Sequence, residues 1–371
     1  MSDVYFITGA TGAVGAALVP ELLKYPDVEL RLLLRARDQD HLQHRFQELL
    51  TYWDVKTSDM HARLQPMPGD MSQPQFGMAE RDYAHLAKEC THIIHCAGNV
   101  RMNLPLAEAR KSALGSAQNV IQLAQKCREL GNLQKIEFVS TVGVGGKIQG
   151  SVPERFITQQ REFHNTYEQA KAEAEDYIQP YVEQGMPITV HRPSMVVGDS
   201  KTGKIIHFQV FYHLCEFLSG RRTMGFLPNM RGGLLDIVPV DYVAQALAWA
   251  SQQDKTAGRI LHLCSGPDKA LDLMQLASQV GYIFESHGIR LPRSKVIPVQ
   301  LFRAALPVMG LFAPARTKRA IRALPVFLEY LKQRQVFENR HSRAVLQDAP
   351  GILSWNSDLV SKVLGFYLHN R

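Results

Sequence analysis

Short apolar runs alternate with helix-period stretches through the first two-thirds of the chain. VYFIT (4–8) reads as a strand and GAVGAALVPELLKY (12–25) as a helix. VELRLLLR (28–35), THIIHCA (91–97) and KIEFVS (135–140) are further strands, the last two separated by a long helical pattern, LPLAEARKSALGSAQNVIQLAQKCREL. A helix over about 164–184 leads into the strand PITVHRP (187–193). Strands that alternate with helices form βαβ units, so the pattern predicts an α/β chain with a doubly wound parallel sheet of Rossmann type. After Gly198 the rhythm loosens. IIHFQVFYHLCEFLSG reads as a helix, LLDIVPV as a short strand, DYVAQALAWASQQ as a helix and GRILHLCS as a strand. No internal repeat or low-complexity tract interrupts the order.

Length and composition refine this picture only slightly. A chain of 371 residues exceeds one compact core of usual size, so a large domain with a smaller second lobe is expected. With 45% hydrophobic and 21% charged residues the composition is that of an ordinary globular enzyme. No apolar stretch has the length a spanning helix needs; LFRAALPVMGLFAPA, from Leu301, is broken by Arg303, Pro307, Gly310 and Pro314. The first strand begins at Asp3 or Val4 with no basic segment before it, so no signal peptide is expected. The five cysteines (Cys90, Cys96, Cys127, Cys215, Cys264) form no CxxC pair, which points to a reducing, cytoplasmic setting without zinc or disulfides. The net charge of +7 is uneven: twelve Lys or Arg lie between Arg290 and Arg343 against Glu329 and Glu338, which leaves the rest of the chain at about −3.

The chemistry starts at Thr8–Gly15, TGATGAVG, where a strand passes into a helix through three glycines. Gly9 permits the tight turn, Gly12 lets backbone approach a pyrophosphate, and Gly15 lets helix and strand pack closely; the helix N-terminus then faces the anion. The spacing is one residue longer than GxGxxG, and a purely structural glycine turn is the alternative. At the end of the second strand stand Arg35 and Arg37, where an acidic residue would accept bonds from a ribose hydroxyl. A guanidinium suits a 2′-phosphate, so NADP is expected over NAD, unless both arginines are simply solvated. Further on, Tyr167 and Lys171 in NTYEQAKAEAE share a helix face. A phenol of pKa about 10 exchanges protons poorly near neutrality, and a nearby ammonium would bring it toward the working range. The pair follows the strand ending KIEFVSTVGV, so Ser140 or Thr141 supplies a hydroxyl at that strand's C-terminal end.

TGATGAVG, the Arg35 position, PGDMSQPQFG, HCAG, VSTVGV, YEQAK and HRPSMVVGDS occur in the order of the extended short-chain dehydrogenase/reductases. Over roughly residues 3–270 the chain resembles most the thioester-reductase and fatty acyl-CoA reductase branch, the male-sterility type of NAD-binding domain. PGDMSQPQFGMAERDYAHLAKECTHIIHCAG and LLDIVPVDYVAQAL carry that finer likeness. The resemblance implies roles. Gly9, Thr11, Gly12, Ala13, Val14 and Gly15 would hold the pyrophosphate and Arg35 the 2′-phosphate. Asp70 and Met71 would contact the adenine; Ala97, Gly98, Pro193 and Ser194 would line the nicotinamide side. Thr141 would hydrogen-bond the substrate carbonyl, Tyr167 would be the general acid, and Lys171 would bind the nicotinamide ribose and lower the tyrosine pKa. Thr141 is preferred because it matches the catalytic hydroxyl's distance from the YxxxK pair; Ser140 is expected to be buried. Ser112 stands where many relatives carry an asparagine, and His95 with Cys96 is expected to be core packing rather than a metal or nucleophile site; no metal site is expected.

The implied organisation is an NADP-binding domain at 1–270 with interleaved substrate-binding segments at about 200–240, followed by a mainly helical, basic substrate or cap region at 271–371. The implied reaction is NADPH-dependent reduction of a fatty acyl thioester, on coenzyme A or an acyl carrier protein, to aldehyde or alcohol. In LFRAALPVMGLFAPARTKRAIRALPVFLEYLKQRQVF the apolar residues would line an acyl channel, and the cations would meet phosphates, an acidic carrier or lipid headgroups at the membrane periphery. A helical cap with solvated charges is the plain alternative. Other readings are a sterol-like dehydrogenase, a nucleotide-sugar epimerase or dehydratase, and a non-catalytic NADP-binding regulator; the retained Tyr167 and Lys171 disfavour the last. No nucleic-acid partner is expected.

Overall fold

The strand β1 (Asp3–Thr8) is buried along nearly its whole length, and its side chains alternate between two cores: Tyr5 and Ile7 enter one, Phe6 the other. It lies at the centre of a sheet whose strands are continuous apolar runs, as expected when both faces are covered. The computed structural model describes residues 2–55, 58–311, 335–349 and 358–371, with the backbone alone at Asp59 and over 306–311.

From β1 the chain runs through α1 (Ala13–Leu22), β2 (Val28–Leu34), α2 (Gln39–Trp53), α3 (Ser58–Ala62) and β3 (Leu64–Pro68) to α4 (Glu80–Glu89) and β4 (His92–His95). Then follow α5 (Leu106–Glu129), β5 (Lys135–Val139), the short β6 (Ser151–Val152), α6 (Thr166–Glu183) and β7 (Ile188–Pro193). After β8 (Met195–Val197) come α7 (Val210–Leu218), β9 (Phe226–Pro228), β10 (Leu234–Leu235), β11 (Ile237–Pro239), α8 (Val240–Ser251) and β12 (Ile260–Leu263). The remaining described elements are β13 (Leu271–Asp272), α9 (Leu273–Ser286), β14 (Lys295–Ile297), α10 (Val299–Leu311), β15 (Val336–Phe337), α11 (Arg340–Leu346) and α12 (Leu359–Asn370).

The main sheet has seven parallel strands in the order β12-β7-β5-β4-β1-β2-β3. This is the doubly wound architecture that the alternation predicts. The winding direction reverses between β1 and β4, and ligands bind in the crevice beyond the carboxyl ends of strands at such a reversal. On one face α1, α2 and α8 close a core with Leu30, Leu32 and Leu34; on the other α4, α5 and α6 pack over Phe6, Ile93 and Phe138. A third core joins α7, α9, α12 and Phe302, and forms the lobe that faces the crevice.

Local chemistry explains several of these elements. Pro20 inside α1 has no N–H to give the carbonyl of Ala16, and the Trp53 indole N–H takes that carbonyl at 2.7 Å instead. Asp38 caps α2 by accepting the His41 N–H at 2.7 Å, and Asp272 caps α9 by accepting those of Met274 and Gln275. The strand β3 is absent from the hydropathy pattern because LQPMP carries two prolines; it survives as an edge strand, where only one side must pair. The helix expected over IIHFQVFYHLCEFLSG is shorter than its period suggests and starts only at Val210. Phe208 docks edge-on against Tyr367 (4.8 Å), and Ile205 is buried in the lobe, so tertiary packing overrides the period before that point. LLDIVPV is two strands: β10 pairs antiparallel with β13 and β11 parallel with β8. Between them the Asp236 carboxylate accepts the N–H groups of Ser265 (2.8 Å) and Gly266 (2.9 Å).

Of the basic region, Arg316, Lys318, Arg319, Arg322, Lys332 and Arg334 lie outside the described residues. Among the described residues no helix is long and apolar enough to cross a membrane.

Candidate active site

The glycine loop is shaped by contacts that forbid side chains. Gly9 adopts φ +83°, and a Cβ there would lie 2.6 Å from the Ala97 nitrogen. A Cβ on Gly15 would lie 2.2 Å from the Gly9 carbonyl oxygen, which is how closely α1 packs on the loop. Gly12 is the N-cap of α1 and brings no side chain, so the first turn presents bare backbone to the crevice. Gly12, Ala13 and Val14 line a cavity of about 1490 Å³ at the carboxyl ends of the sheet strands. Arg35, Asp70, Met71, Gly98, Pro193 and Ser194 line it too. Gly9, Thr11, Gly15 and Ala97 do not; Gly9, Gly15 and Ala97 act one layer behind, as the packing that sets the loop.

Arg35 is 73% exposed at the end of β2, with its Nε 3.5 Å from the Asp70 carboxylate. Partial burial works against the Asp70 anion, but the Ser72 N–H (2.9 Å), the Ser72 hydroxyl (2.8 Å) and Arg35 outweigh it and hold the carboxyl below its usual range. The fork of Arg35 is thus turned to solvent with little of its hydrogen-bonding capacity used inside the protein.

Thr141, Tyr167 and Lys171 converge on the same cavity. Thr141 follows β5 and caps the turn Val142–Gly145: its Oγ1 accepts the Gly143 N–H at 3.1 Å, which leaves the hydroxyl proton to be donated. Asn165 caps α6 by accepting the Glu168 N–H at 3.0 Å, so Tyr167 sits in the first turn and Lys171 one turn later on the same face. The Thr141 hydroxyl lies beside the Tyr167 phenol and favours its ionised form. The Lys171 ammonium is buried, donates to the Val139 carbonyl at 2.9 Å and lies beside Gly98. A buried ion pair fixes the same helix: Arg192 of HRP, with no exposed surface, bonds Glu175 through Nε (3.0 Å) and Nη2 (2.5 Å). Its Nη1 also reaches the carbonyls of Pro153 (3.2 Å) and Arg155 (3.1 Å).

The electrostatics correct one expectation. Burial pushes the Tyr167 phenol up to about 12; the Thr141 bond pulls it back only in part, and the Glu168 carboxylate pushes it further up. Lys171 brings no lowering at the pH where the phenol would ionise, because burial lowers Lys171 itself to about 8, with Glu175 and Cys96 opposing the shift, and it has lost its proton by then. The Tyr167 phenol is therefore held protonated through the neutral range, and the Lys171 pKa lies closest to it.

His95 is core, as anticipated, whereas Cys96 is half-buried, packed against the core and also part of the cavity lining. His95 bonds the Thr8 hydroxyl (2.8 Å) and the Ser116 hydroxyl (3.3 Å), and burial followed by the Lys171 charge lowers its pKa to about 3. No group of three His, Cys, Asp or Glu among the described residues could hold a metal ion. Ser140 is buried, as expected, and its buried Oγ has no hydrogen-bond partner among the described residues. Ser112, in the asparagine position, accepts the Asn99 N–H at 3.1 Å and so ties the loop after HCAG to α5.

Three further groups of residues reach the site. Glu168, inside YEQAK, accepts the His164 N–H (3.0 Å) and pairs with His164 Nδ1 (2.8 Å), and a Cβ on Gly143 would lie 3.1 Å from its side chain. Met195, Phe208, Phe211, Leu214 and Phe217 add apolar side chains to the cavity lining; all but Met195 fall in the 200–240 segment expected to bind substrate. Gln335 and Phe337 reach the cavity from far along the chain, and Phe337 ends the 301–337 stretch whose apolar residues are expected to line an acyl channel. The sequence singles out no individual residue of these groups, and nothing local marks Gln335.

Comparison with known proteins agrees with this geometry. The family model described as "Male sterility protein" matches residues 7–247. The aldehyde reductase lnaA of Aspergillus flavus is 26% identical over 97% of this chain and 36% of its own length. The chain spans between 19% and 36% of the length of the first curated relatives it matches. The terminal R domain from the myxalamid PKS-NRPS biosynthetic pathway superposes with a TM-score of 0.79 at 24% identity, covering 99% of this chain and 91% of that one. A thiolation-reductase di-domain from an archaeal non-ribosomal peptide synthetase gives a TM-score of 0.74 at 15% identity, covering 100% and 76%. The glycine-loop crevice, the Thr141–Tyr167–Lys171 trio and the family match together place the chain in the male-sterility family of NAD-binding domains, extended short-chain dehydrogenase/reductases of the NAD(P)-dependent oxidoreductase class.

Proposed function

We propose that the protein is an NADPH-dependent reductase that converts an acyl thioester, carried on the phosphopantetheine arm of a carrier protein, to the aldehyde. The observation that carries this reading is the cavity, whose lining brings together the bare N-terminus of α1, a protonated phenol beside a threonine hydroxyl, and apolar side chains of Met195 and α7. The relatives support the thioester: one structural neighbour is a terminal R domain and another a thiolation-reductase pair. The likeness to a protein named an aldehyde reductase supports carbonyl reduction at the aldehyde level.

The residues present fit a dinucleotide. The crevice opens at the sheet's reversal point, Ala13 and Val14 in the first turn of α1 offer amides to a pyrophosphate while Gly12 gives its own to the Gly9 carbonyl, and the buried Ser140 hydroxyl nearby lacks a partner among the described residues. Asp70 and Met71 would meet the adenine, and the Arg35 fork a 2′-phosphate, which favours NADP. Gly98, Pro193 and Ser194 would border the nicotinamide, and Lys171 would bond its ribose. A reduced nicotinamide bound there supplies a hydride.

Thr141 and Tyr167 would hold the thioester carbonyl oxygen by donating two hydrogen bonds, stabilising the charge that grows on it as the carbon is reduced. Tyr167 then gives up its proton, leaving a hemithioacetal whose C–S bond breaks to release thiol and aldehyde. One hydride and one proton enter, and the thiol leaves carrying the carrier arm. Lys171, charged below pH about 8, would offset the phenolate left behind.

The test is product analysis with purified protein, NADPH and one acyl group presented on carrier protein and on coenzyme A. Aldehyde formed in step with NADPH consumption, faster from carrier than from coenzyme A, is expected. NADPH binding without reduction of either thioester would sink the substrate assignment and leave a sterol-like or other apolar carbonyl as the reading to pursue.

A further inference from the structure

The chain returns to the catalytic cavity at 335–342, far in sequence from every motif. Val336 and Phe337 add a parallel strand to Ser151–Val152, with Val336 N–H on the Gly150 carbonyl (3.0 Å) and Glu338 N–H on that of Val152 (3.1 Å). Polar anchors follow at once. His262 Nδ1 bonds the Glu338 carbonyl (2.8 Å), Asn339 Nδ2 donates to the Cys264 carbonyl (3.1 Å), and the Glu154 carboxylate accepts the N–H groups of His341 (2.8 Å) and Ser342 (2.7 Å). This strap is fastened both to the edge strand β12 and to the segment that follows the Thr141 turn.

Two of its side chains face the chemistry. Gln335 donates from Nε2 to the carbonyls of Gly146 (3.0 Å) and Ile148 (2.9 Å), directly after the turn that Thr141 caps. Gly146 in turn gives its N–H to the Gly143 carbonyl (2.9 Å), and Gly143 gives its N–H to Thr141 Oγ1. A chain of hydrogen bonds therefore runs from Gln335 to the catalytic hydroxyl. Phe337 packs against the small cluster of Val144, Val152, Ile157 and Ala172, and both Gln335 and Phe337 line the cavity with Thr141 and Tyr167.

We infer that this strap completes the active site: Phe337 is a specificity-determining wall for the acyl group near its carbonyl, and Gln335 is a positioning residue for Thr141. The inference rests on the cavity being the acyl site proposed above. An aromatic ring fixed from behind by a buried cluster sets a size limit, because its neighbours leave it little room to yield. An amide that closes two carbonyls of a tight turn limits how far the turn can drift, and a small drift at a catalytic hydroxyl is felt in kcat.

The experiment has a kinetic and a structural arm. Acyl thioesters and the matching aldehydes, straight and α-branched, are compared in the wild type, Phe337→Leu and Phe337→Ala. Relative kcat/KM for the branched members is expected to rise by at least about tenfold in Phe337→Ala, with Phe337→Leu between. A selectivity profile that stays parallel to the wild type in both variants overturns the role of Phe337. Gln335→Glu, which keeps shape but loses both donors, and Gln335→Ala are expected to lower kcat about fivefold to tenfold with KM and the NADPH Kd unchanged. Amide hydrogen exchange over 142–148 should quicken in the same variants while β5 stays protected; unchanged exchange there overturns the positioning role, whatever the enzyme reduces. If the wild type reduces only the aldehydes, the thioester reading fails while the aldehyde panel and the exchange data still decide the strap.

Discussion

The two ends of the catalytic cavity are built by opposite strategies. The dinucleotide end comes mainly from short stretches in which neighbours in sequence are neighbours in space: Gly9 to Gly15, Asp70 with Met71, Tyr167 with Lys171. The part of the cavity proposed for the acyl group gathers Met195, the α7 face, Leu273, Gln335 and Phe337 from segments separated by tens to more than a hundred residues. Tolerance should differ accordingly. At the first end backbone positions allow only one residue type, so a methyl group is ruinous. At the second, side chains fill a shaped volume, and substitutions should retune selectivity rather than abolish function.

The largest break is expected at the glycine loop. Gly9→Ala places a Cβ 2.6 Å from backbone and demands φ +83° of a residue that resists it, so a stability loss above about 2 kcal/mol and loss of NADPH binding are expected. Thermal denaturation with NADPH titration reads both. Next is the buried pair under the trio. Glu175→Ala leaves the fully buried Arg192 guanidinium without its anion and should cost about 3–5 kcal/mol, visible as a lower denaturant midpoint. Arg35→Ala is milder: the side chain is largely exposed, and the NADPH KM should rise about tenfold while the NADH KM hardly moves. Equal losses for both cofactors would show that Arg35 does not discriminate.

The pH profile sharpens the comparison further. Lys171 has a pKa lowered to about 8, so its positive charge is complete below that pH and disappears as pH rises through it. Tyr167, raised to about 12, stays protonated over the same range. An alkaline loss of kcat/KM centred near 8 is therefore assigned to the lysine, and Lys171→Arg should remove that limb even at reduced activity. A limb absent from the wild type would contradict the assignment. The smallest effect belongs to the surface: Arg110→Ala breaks a bidentate pair with Glu173 that bridges α5 and α6 in solvent, and should leave the denaturant midpoint and the kinetics nearly unchanged.

The contrast also explains what the sequence made legible. The parallel sheet, the glycine loop and the Tyr167–Lys171 pair were readable because each depends on local spacing. The edge strand β3 was not, since Pro66 and Pro68 mask a strand tolerated only at a sheet edge. The late start of α7 escaped because Phe208 answers to Tyr367 on a distant helix. The phenol's direction of shift was misjudged because residue spacing reports an adjacent lysine but not the burial that raises the phenol and lowers the lysine together. Phe337 ends the stretch that the sequence put at an acyl channel, but its place beside Thr141, like that of Gln335, exists only after the chain has folded back.

The most direct measurement is single-turnover reduction of a carrier-bound acyl thioester by wild type and Tyr167→Phe at saturating NADPH, with aldehyde quantified and NADPH affinity measured separately. Wild type should form aldehyde in step with NADPH consumed, and the variant should bind NADPH equally well yet react about 10²–10⁴-fold more slowly. Aldehyde formed by the variant at the wild-type rate, or no aldehyde from the wild type, would contradict a thioester reductase that uses Tyr167 as its acid.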